Sequence, residues 1–361
     1  LKGKSMYRYI GNKAKLIDVL IDEIRSIIGT TGKVADLMCG TATVSSGLKS
    51  EGYEVVAADV MTYAYYHAMV KLLINNPPVY GKLLEKEIKI NESAGDDGYQ
   101  KVISYLNSLQ PKKGYFFREF SPGGVPFNGT PSRKYFTSEN AMKIDAIRET
   151  LYEWENDELL SEIEIALLKH DLILSVNPIA NISGTYGHFH SKFVGKSLNQ
   201  FKLKAHFEYD LFSEFQSINH TVLKGYAEDL AKDIEVDLCY IDPPYMKRQY
   251  AANYHILETL ARGDEPEAVG LSGLRPWRDQ YSDFCSKVRI RDSFKKILTN
   301  VNTKNFLISY SEDGLLSLEQ LVSFFEDFGK VHVKEVKYKR FRSNNSPLGQ
   351  EINEYLIWVK K

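Results

Sequence analysis

Between residues 33 and 59 the chain changes character in an order that few architectures accept. Lys33-Val34-Ala35-Asp36-Leu37-Met38 reads as a buried strand and Cys39-Gly40-Thr41-Ala42-Thr43 as a turn of small residues. Val44 to Glu51 reads as a helix, and Tyr53-Glu54-Val55-Val56-Ala57-Ala58-Asp59 as a second strand ending in an acid. A strand, a glycine turn, a helix and a strand closed by a carboxylate about 20 residues on is how a doubly wound α/β sheet begins. Helical apolar spacing precedes this unit from Leu16 to Ile28. A further helical segment follows it from Tyr63 to about Asn75, closed by Asn76-Pro77-Pro78.

From roughly Val79 to Asn219 the pattern shifts to long polar helical stretches, such as Glu139 to Lys169, separated by loops like Ser121-Pro122-Gly123-Gly124-Val125-Pro126. Strand-like segments then resume at His220 to Lys224, Val236 to Ile241, Asn305 to Tyr310, Val331 to Tyr338 and Ile352 to Val359. The expected division is a sheet domain from 1–78 and 220–361, interrupted at 79–219 by an insertion with its own small core. With 361 residues, 43% hydrophobic and 26% charged, the chain can fill one large core and a second unit.

Several classes are disfavoured. No apolar run approaches the roughly 18 residues of a membrane span and no signal core opens the chain, so neither insertion nor secretion is expected and a cytoplasmic location follows. Leu1 at the first position suggests a trimmed or tagged start, with Met6 as a candidate initiator. Cys39, Cys239 and Cys285 lie far apart with no CxxC pair, which points to buried thiols and no structural metal. His188-Phe189-His190 lacks a nearby cysteine or acid pair and reads as a loop surface. Lys and Arg (46) nearly balance Asp and Glu (47), so any polyanion-binding face has to be local.

The sharpest chemical signal is Asp242-Pro243-Pro244-Tyr245, directly after the strand ending at Ile241. The two prolines fix the backbone so that carbonyls point outward in a preset direction. Asp242 and such a carbonyl are placed to accept both hydrogens of an exocyclic amino group, with Tyr245 stacking on the attached ring. At the first turn, Gly40 permits close backbone approach, Asp36 suits an ammonium, and Asp59 suits two ribose hydroxyls. In Tyr7-Arg8-Tyr9-Ile10-Gly11-Asn12-Lys13, the lysine suits a ligand carboxylate. Each feature has a plain alternative: a Pro-Pro turn, surface acids capping strand ends, a solvated basic arm.

Tyr9-Ile10-Gly11-Asn12-Lys13, Asp36-Leu37-Met38-Cys39-Gly40-Thr41-Ala42, Asp59 and Asp242-Pro243-Pro244-Tyr245 occur in this order, with the large insertion before the last. Together they resemble the Dam-type alpha group of DNA adenine-N6 methyltransferases over most of the chain. Arg133-Lys134-Tyr135-Phe136-Thr137-Ser138-Glu139-Asn140 and Asn181-Ile182-Ser183-Gly184-Thr185-Tyr186-Gly187 are similar to restriction-modification members of that group. The resemblance implies a Rossmann-like, seven-stranded mixed-sheet methyltransferase core with an inserted, mainly helical target-recognition domain.

It also implies S-adenosylmethionine as cofactor. Tyr9 and Lys13 would hold the methionine carboxylate, Asp36 the ammonium, Met38 and Gly40 the glycine-motif approach, and Asp59 the ribose. Asp229 would lie near the cofactor adenine, with Tyr226 and Glu228 as alternatives. Met38 stands where the family usually has phenylalanine, and Ala42 where it has a second glycine. The implied reaction is direct methylation of adenine N6 on a base flipped out of double-stranded DNA, with a cognate restriction endonuclease in the same system. An RNA adenine methyltransferase and a non-catalytic nucleic-acid-binding protein are the alternatives. Cytosine-N4 and glutamine methyltransferases usually present Ser or Asn at the place of Asp242.

Three basic stretches are candidate phosphate contacts: Lys112, Lys113, Arg118, Arg133 and Lys134; Lys192, Lys196, Lys202 and Lys204; and Lys337, Lys339, Arg340 and Arg342. A solvated charged face is the simpler reading of each alone. Phe341, between the last two strands, reads as either a wedge or a packed hairpin residue.

Overall fold

The computed structural model describes residues 9, 13–207, 218–339 and 351–361. In chain order the elements that build the sheet and its first covering helices are α1 (Ile17–Ile28), β1 (Lys33–Leu37), α2 (Thr43–Ser50), β2 (Glu54–Asp59), α3 (Thr62–Leu73), β3 (Thr221–Lys224), β4 (Leu238–Ile241), β5 (Asn305–Ser311), β6 (Lys330–Lys339) and β7 (Glu351–Lys360). The sheet runs β3-β2-β1-β4-β5-β7-β6. The first five of these strands are parallel, and β7 enters antiparallel between β5 and β6. Among the described residues this is the expected seven-stranded mixed α/β sheet.

The buried strands read as near-continuous apolar runs because both faces of the sheet are covered. Ala35, Leu37, Cys239, Ile241, Phe306 and Ile308 point into one core. Val34, Leu238, Tyr240 and Leu307 point into the other, where they meet Leu20 and Ile24 of α1. The chain builds outward from β1 through β2 to β3, then restarts at β4 on the other side of β1. The strand order therefore reverses between β1 and β4, and a crevice opens beyond the carboxyl ends of strands at such a point. Leu37 and Ile241 are partners in register, so the segments that start at Met38 and Asp242 leave the sheet side by side.

Two compact units are present: residues 1–73, 210–250 and 280–361, which carry the sheet, and residues 74–209 with 251–279. The expected boundaries assigned 251–279 to the sheet domain, and the structure differs there. Helix His255–Arg262 is buried with the second unit, where His255 Nε2 lies 3.0 Å from the Tyr186 carbonyl. Arg148 Nη2 donates to the Asp264 carbonyl at 3.0 Å. The helical stretch expected across Glu139 to Lys169 is two helices, Ser138–Asn156 and Glu162–Val176. Glu158 turns left-handed at φ 54° between them, and Ser161 starts the second with a capping box to Glu164. No helix among the described residues is long and apolar enough to cross a membrane.

Candidate active site

Asp242 follows the last residue of β4, and Pro243, lacking an N–H, ends the ladder there. The Asp242 side chain is 17% exposed, and its Oδ1 lies 2.9 Å from Lys13 Nζ, which is itself only 3% exposed. The same ammonium lies 2.8 Å from Oε1 of Glu354, a fully buried residue of β7. Ser309 Oγ on β5 donates to that oxygen at 2.5 Å. The Tyr245 ring completes the cluster, with its centroid 5.7 Å from Lys13 Nζ and 5.9 Å from the ring of Tyr310.

Burial pushes the Asp242 carboxyl up to about 6; Lys13 pulls it down, and Glu354 pushes it up again. For Lys13, burial works against the ammonium, but the carboxylates of Asp242 and Glu354 outweigh it and hold the group well above the usual lysine range. Two carboxylates face one ammonium, so the cluster keeps an excess of negative charge. Lys13, expected at a ligand carboxylate, is thus placed between two carboxylates of the protein.

The turn from β1 to α2 alternates left-handed residues: Met38 at φ 64°, Gly40 at 53° and Ala42 at 51°. Holding Met38 and Ala42 there costs on the order of 1–2 kcal/mol each, and neighbouring hydrogen bonds impose it. Cys39 N–H donates to the Ala58 carbonyl at 3.0 Å, and Gly40 N–H to Asp59 Oδ2 at 2.9 Å. Asp59 Oδ1 accepts Met61 N–H at 2.9 Å. Gly40 is required for a second reason, since a Cβ there would stand 2.9 Å from Cε1 of Tyr9. The Tyr9 ring lies over the turn, its hydroxyl 3.0 Å from that of Tyr63.

Asp36 sits beneath the same turn, where its Oδ2 accepts both the N–H (2.9 Å) and the hydroxyl (2.5 Å) of Ser45 in the first turn of α2. Burial drives its carboxyl up to about 7 against the Ser45 hydroxyl, and the nearby charges of Asp242 and Asp59 add to the rise. Three carboxylates therefore crowd the ends of β1, β2 and β4. Both Asp59 oxygens accept backbone N–H groups, and a carboxylate oxygen with two lone pairs accepts more than one donor. After β3, Asp229 is exposed in the short helix Ala227–Leu230, with Glu228 and Tyr226 half-buried beside it.

The expected phosphate contact at Arg133 is overturned. Its side chain is fully buried and ion-paired with Glu119 at 2.9 Å. It donates to the carbonyls of Ala268, Gly270 and Leu271 and to the Thr130 hydroxyl. A planar fork of five donors suits a nest of carbonyls as well as it suits a phosphate, and here the carbonyls hold it. Lys134 is half-buried and donates to the Ser191 carbonyl at 2.9 Å. Lys192 and Lys196 are exposed. Lys339 is the last residue of β6, and Arg340, Phe341 and Arg342 lie outside the described residues.

Glu354, Ser309 and Ser45 went unnoticed in the sequence. For Glu354 a signal existed: Ile352, Glu354 and Leu356 occupy the buried phase of an alternating strand, where a charged residue is out of place.

A family model described as D12 class N6 adenine-specific DNA methyltransferase matches residues 9–324. Type II methyltransferase M.FokI of Planomicrobium okeanokoites is 33% identical over 98% of this chain and 52% of its own length. Type II methyltransferase M.NlaIII of Neisseria lactamica is 31% identical over 98% of this chain and 99% of its own. Type II methyltransferase M.CviAII of Paramecium bursaria Chlorella virus 1 is 32% identical over 97% of both. The chain spans about half the length of M.FokI.

Proposed function

The chain belongs to the D12 class of N6 adenine-specific DNA methyltransferases, and we propose that it transfers the methyl group of S-adenosylmethionine to N6 of a flipped adenine at a specific site in double-stranded DNA. In this reading it works in the cytoplasm as the modification partner of a restriction endonuclease. The observation that carries it is the partly open carboxylate of Asp242, gripped by Lys13 beside Tyr245 and next to the acid-lined turn after β1.

The donor set fits the cofactor. Asp36, Asp59 and Asp242 concentrate negative charge at neighbouring strand ends, and a ligand bearing a sulfonium and an ammonium relieves it. Asp36 would take the ammonium and Asp59 the ribose hydroxyls. The backbone of Met38 and Gly40, under Tyr9, would line the approach, and Asp229 would lie toward the adenine. Lys13, committed to Asp242 and Glu354, is assigned the holding of Asp242 in place of the cofactor carboxylate.

Bound there, the cofactor supplies an electrophilic methyl group. Adenine N6 is a poor nucleophile because its lone pair is delocalised into the ring. Asp242 and the Pro243 carbonyl accept its two hydrogens, favour a pyramidal nitrogen and aim the lone pair, which combines orientation with stabilisation of the developing positive charge. The proton released after transfer leaves to Asp242 or to water. Tyr245 stacks on the flipped base and offsets part of the few kcal/mol that flipping costs. Lys134, Lys192 and Lys196 are the candidate phosphate contacts of the second unit.

The test is transfer of tritiated methyl from S-adenosylmethionine to mixed-sequence duplex DNA and to structured RNA, followed by nucleoside analysis. N6-methyladenine in DNA alone is the expected result. Label confined to RNA, or no label from protein that binds the cofactor, refutes the reading.

A further inference from the structure

Glu354 lies beyond the residues that the family model matches, and sheet packing gives no reason for an acid there. Its neighbours in the buried phase of β7, Ile352 and Leu356, are aliphatic. A carboxylate without access to water is costly unless its surroundings compensate. The compensation is specific: Oε1 receives Lys13 Nζ at 2.8 Å and Ser309 Oγ at 2.5 Å. Oε2 is buried without a hydrogen-bond partner among the described residues. Lys13 already has a counter-charge in Asp242 at 2.9 Å, so neutralising the lysine does not require Glu354. What the second carboxylate adds is a second anchor.

We propose that Glu354, seated by Ser309, is a positioning residue: it fixes the Lys13 ammonium from behind, so that Lys13 grips Oδ1 of Asp242 and leaves the other oxygen for the amino group of the target base. This rests on the methyltransferase reading above. Among the described residues, the charged and titratable groups facing Asp242 are Lys13 before α1, Asp36 on β1, Tyr240 on β4 and Glu354 on β7, with Tyr245 facing Lys13. Of these, Glu354 raises the proton affinity of Asp242. Removing its charge therefore lets Asp242 ionise at lower pH.

The experiment compares wild type, Asp242→Ala and the isosteric Glu354→Gln in methyl-transfer kinetics from pH 5 to 8, with cofactor binding measured by calorimetry. Glu354→Gln is expected to lower kcat about 100-fold, the scale of a misplaced reacting group. Its KM for DNA and its cofactor affinity should stay near wild type, and the acidic limb of its kcat profile should move to lower pH. Wild-type kcat with an unmoved limb overturns the proposal, as does a loss of cofactor affinity equal to the loss of rate. Should Glu354→Gln fail to fold, Ser309→Ala decides: a lowered kcat with an unmoved limb supports the seat, and an unchanged kcat overturns it. A wild type that transfers no methyl group refutes the methyltransferase reading itself. An active wild type and an inactive Asp242→Ala beside an unaltered Glu354→Gln refute the positioning role alone.

Discussion

A carboxyl pushed up to about 6, as at Asp242, is half protonated in mildly acidic solution, and only the ionised form accepts an N–H with either oxygen. Methyl transfer is therefore expected to rise as pH increases through about 6 and to level off above it; a pre-steady-state rate that falls across that interval contradicts the assignment. Asp242→Ala should lower the rate by about 10²-fold or more, the scale of a lost transition-state contact, while equilibrium binding of S-adenosylmethionine persists. Arg133 belongs to a different class. Arg133→Ala leaves Glu119 only Arg118 and the Phe127 N–H as partners and strips the buried carbonyls of Ala268, Gly270 and Leu271 of their donor, and urea unfolding should report a loss of about 3 kcal/mol. A stability equal to wild type would mean that the pair is dispensable. The position of Asp242 at a strand end was legible from the apolar run before it and the two prolines after it. The burial of Arg133 was not, because the carbonyls that hold it come from 268–271, far along the chain.

At the level of elements, alternation and apolar runs located the seven described strands to within about two residues; β1, β2, β4, β5 and β7 are largely buried, whereas the edge strands β3 and β6 are only partly so. The long polar stretch at 139–169 was harder. Helical periodicity continues across the break, and the stop depends on Glu158 adopting φ 54°. The start of the second helix was written locally as Ser161-Glu162-Ile163-Glu164, the capping box with Ser161 at the N-cap and Glu164 at N3. Ser161→Ala should cost about 1 kcal/mol, read as a lower denaturation midpoint at constant m-value. No change would show that helix packing alone defines that boundary. The left-handed turn at Met38, Gly40 and Ala42 was only partly legible: glycine announces such a conformation, whereas Met38 and Ala42 adopt it because Ala58 and Asp59 on β2 dictate the hydrogen bonds.

For the molecule as a whole, the second unit carries a pH term of its own. Asp171 is fully buried; burial pushes it up to about 8 while hydrogen bonds from the Tyr99 hydroxyl and His206 N–H pull it down. Its folded value lies above the roughly 3.9 of an unfolded aspartate, so the folded state binds the proton more tightly and stability falls as pH rises from about 4 to 8. Asp171→Asn lacks this term. Its melting temperature relative to wild type should climb between pH 5 and 8.5, and a constant difference would show that Asp171 does not titrate there.

Local structure that forms over a few residues was readable in the chain: an acid before two prolines, a glycine in a turn, a carboxylate closing a strand. The identity of the cluster was not, because Asp242, Ser309 and Glu354 come from distant segments that only the strand order β4-β5-β7 brings together, and Lys13 meets them from the segment before α1. Membership of 251–279 in the second unit and the burial of Arg133 have the same origin. Ion pairing and desolvation depend on which surfaces meet, and segments distant along the chain supply those surfaces.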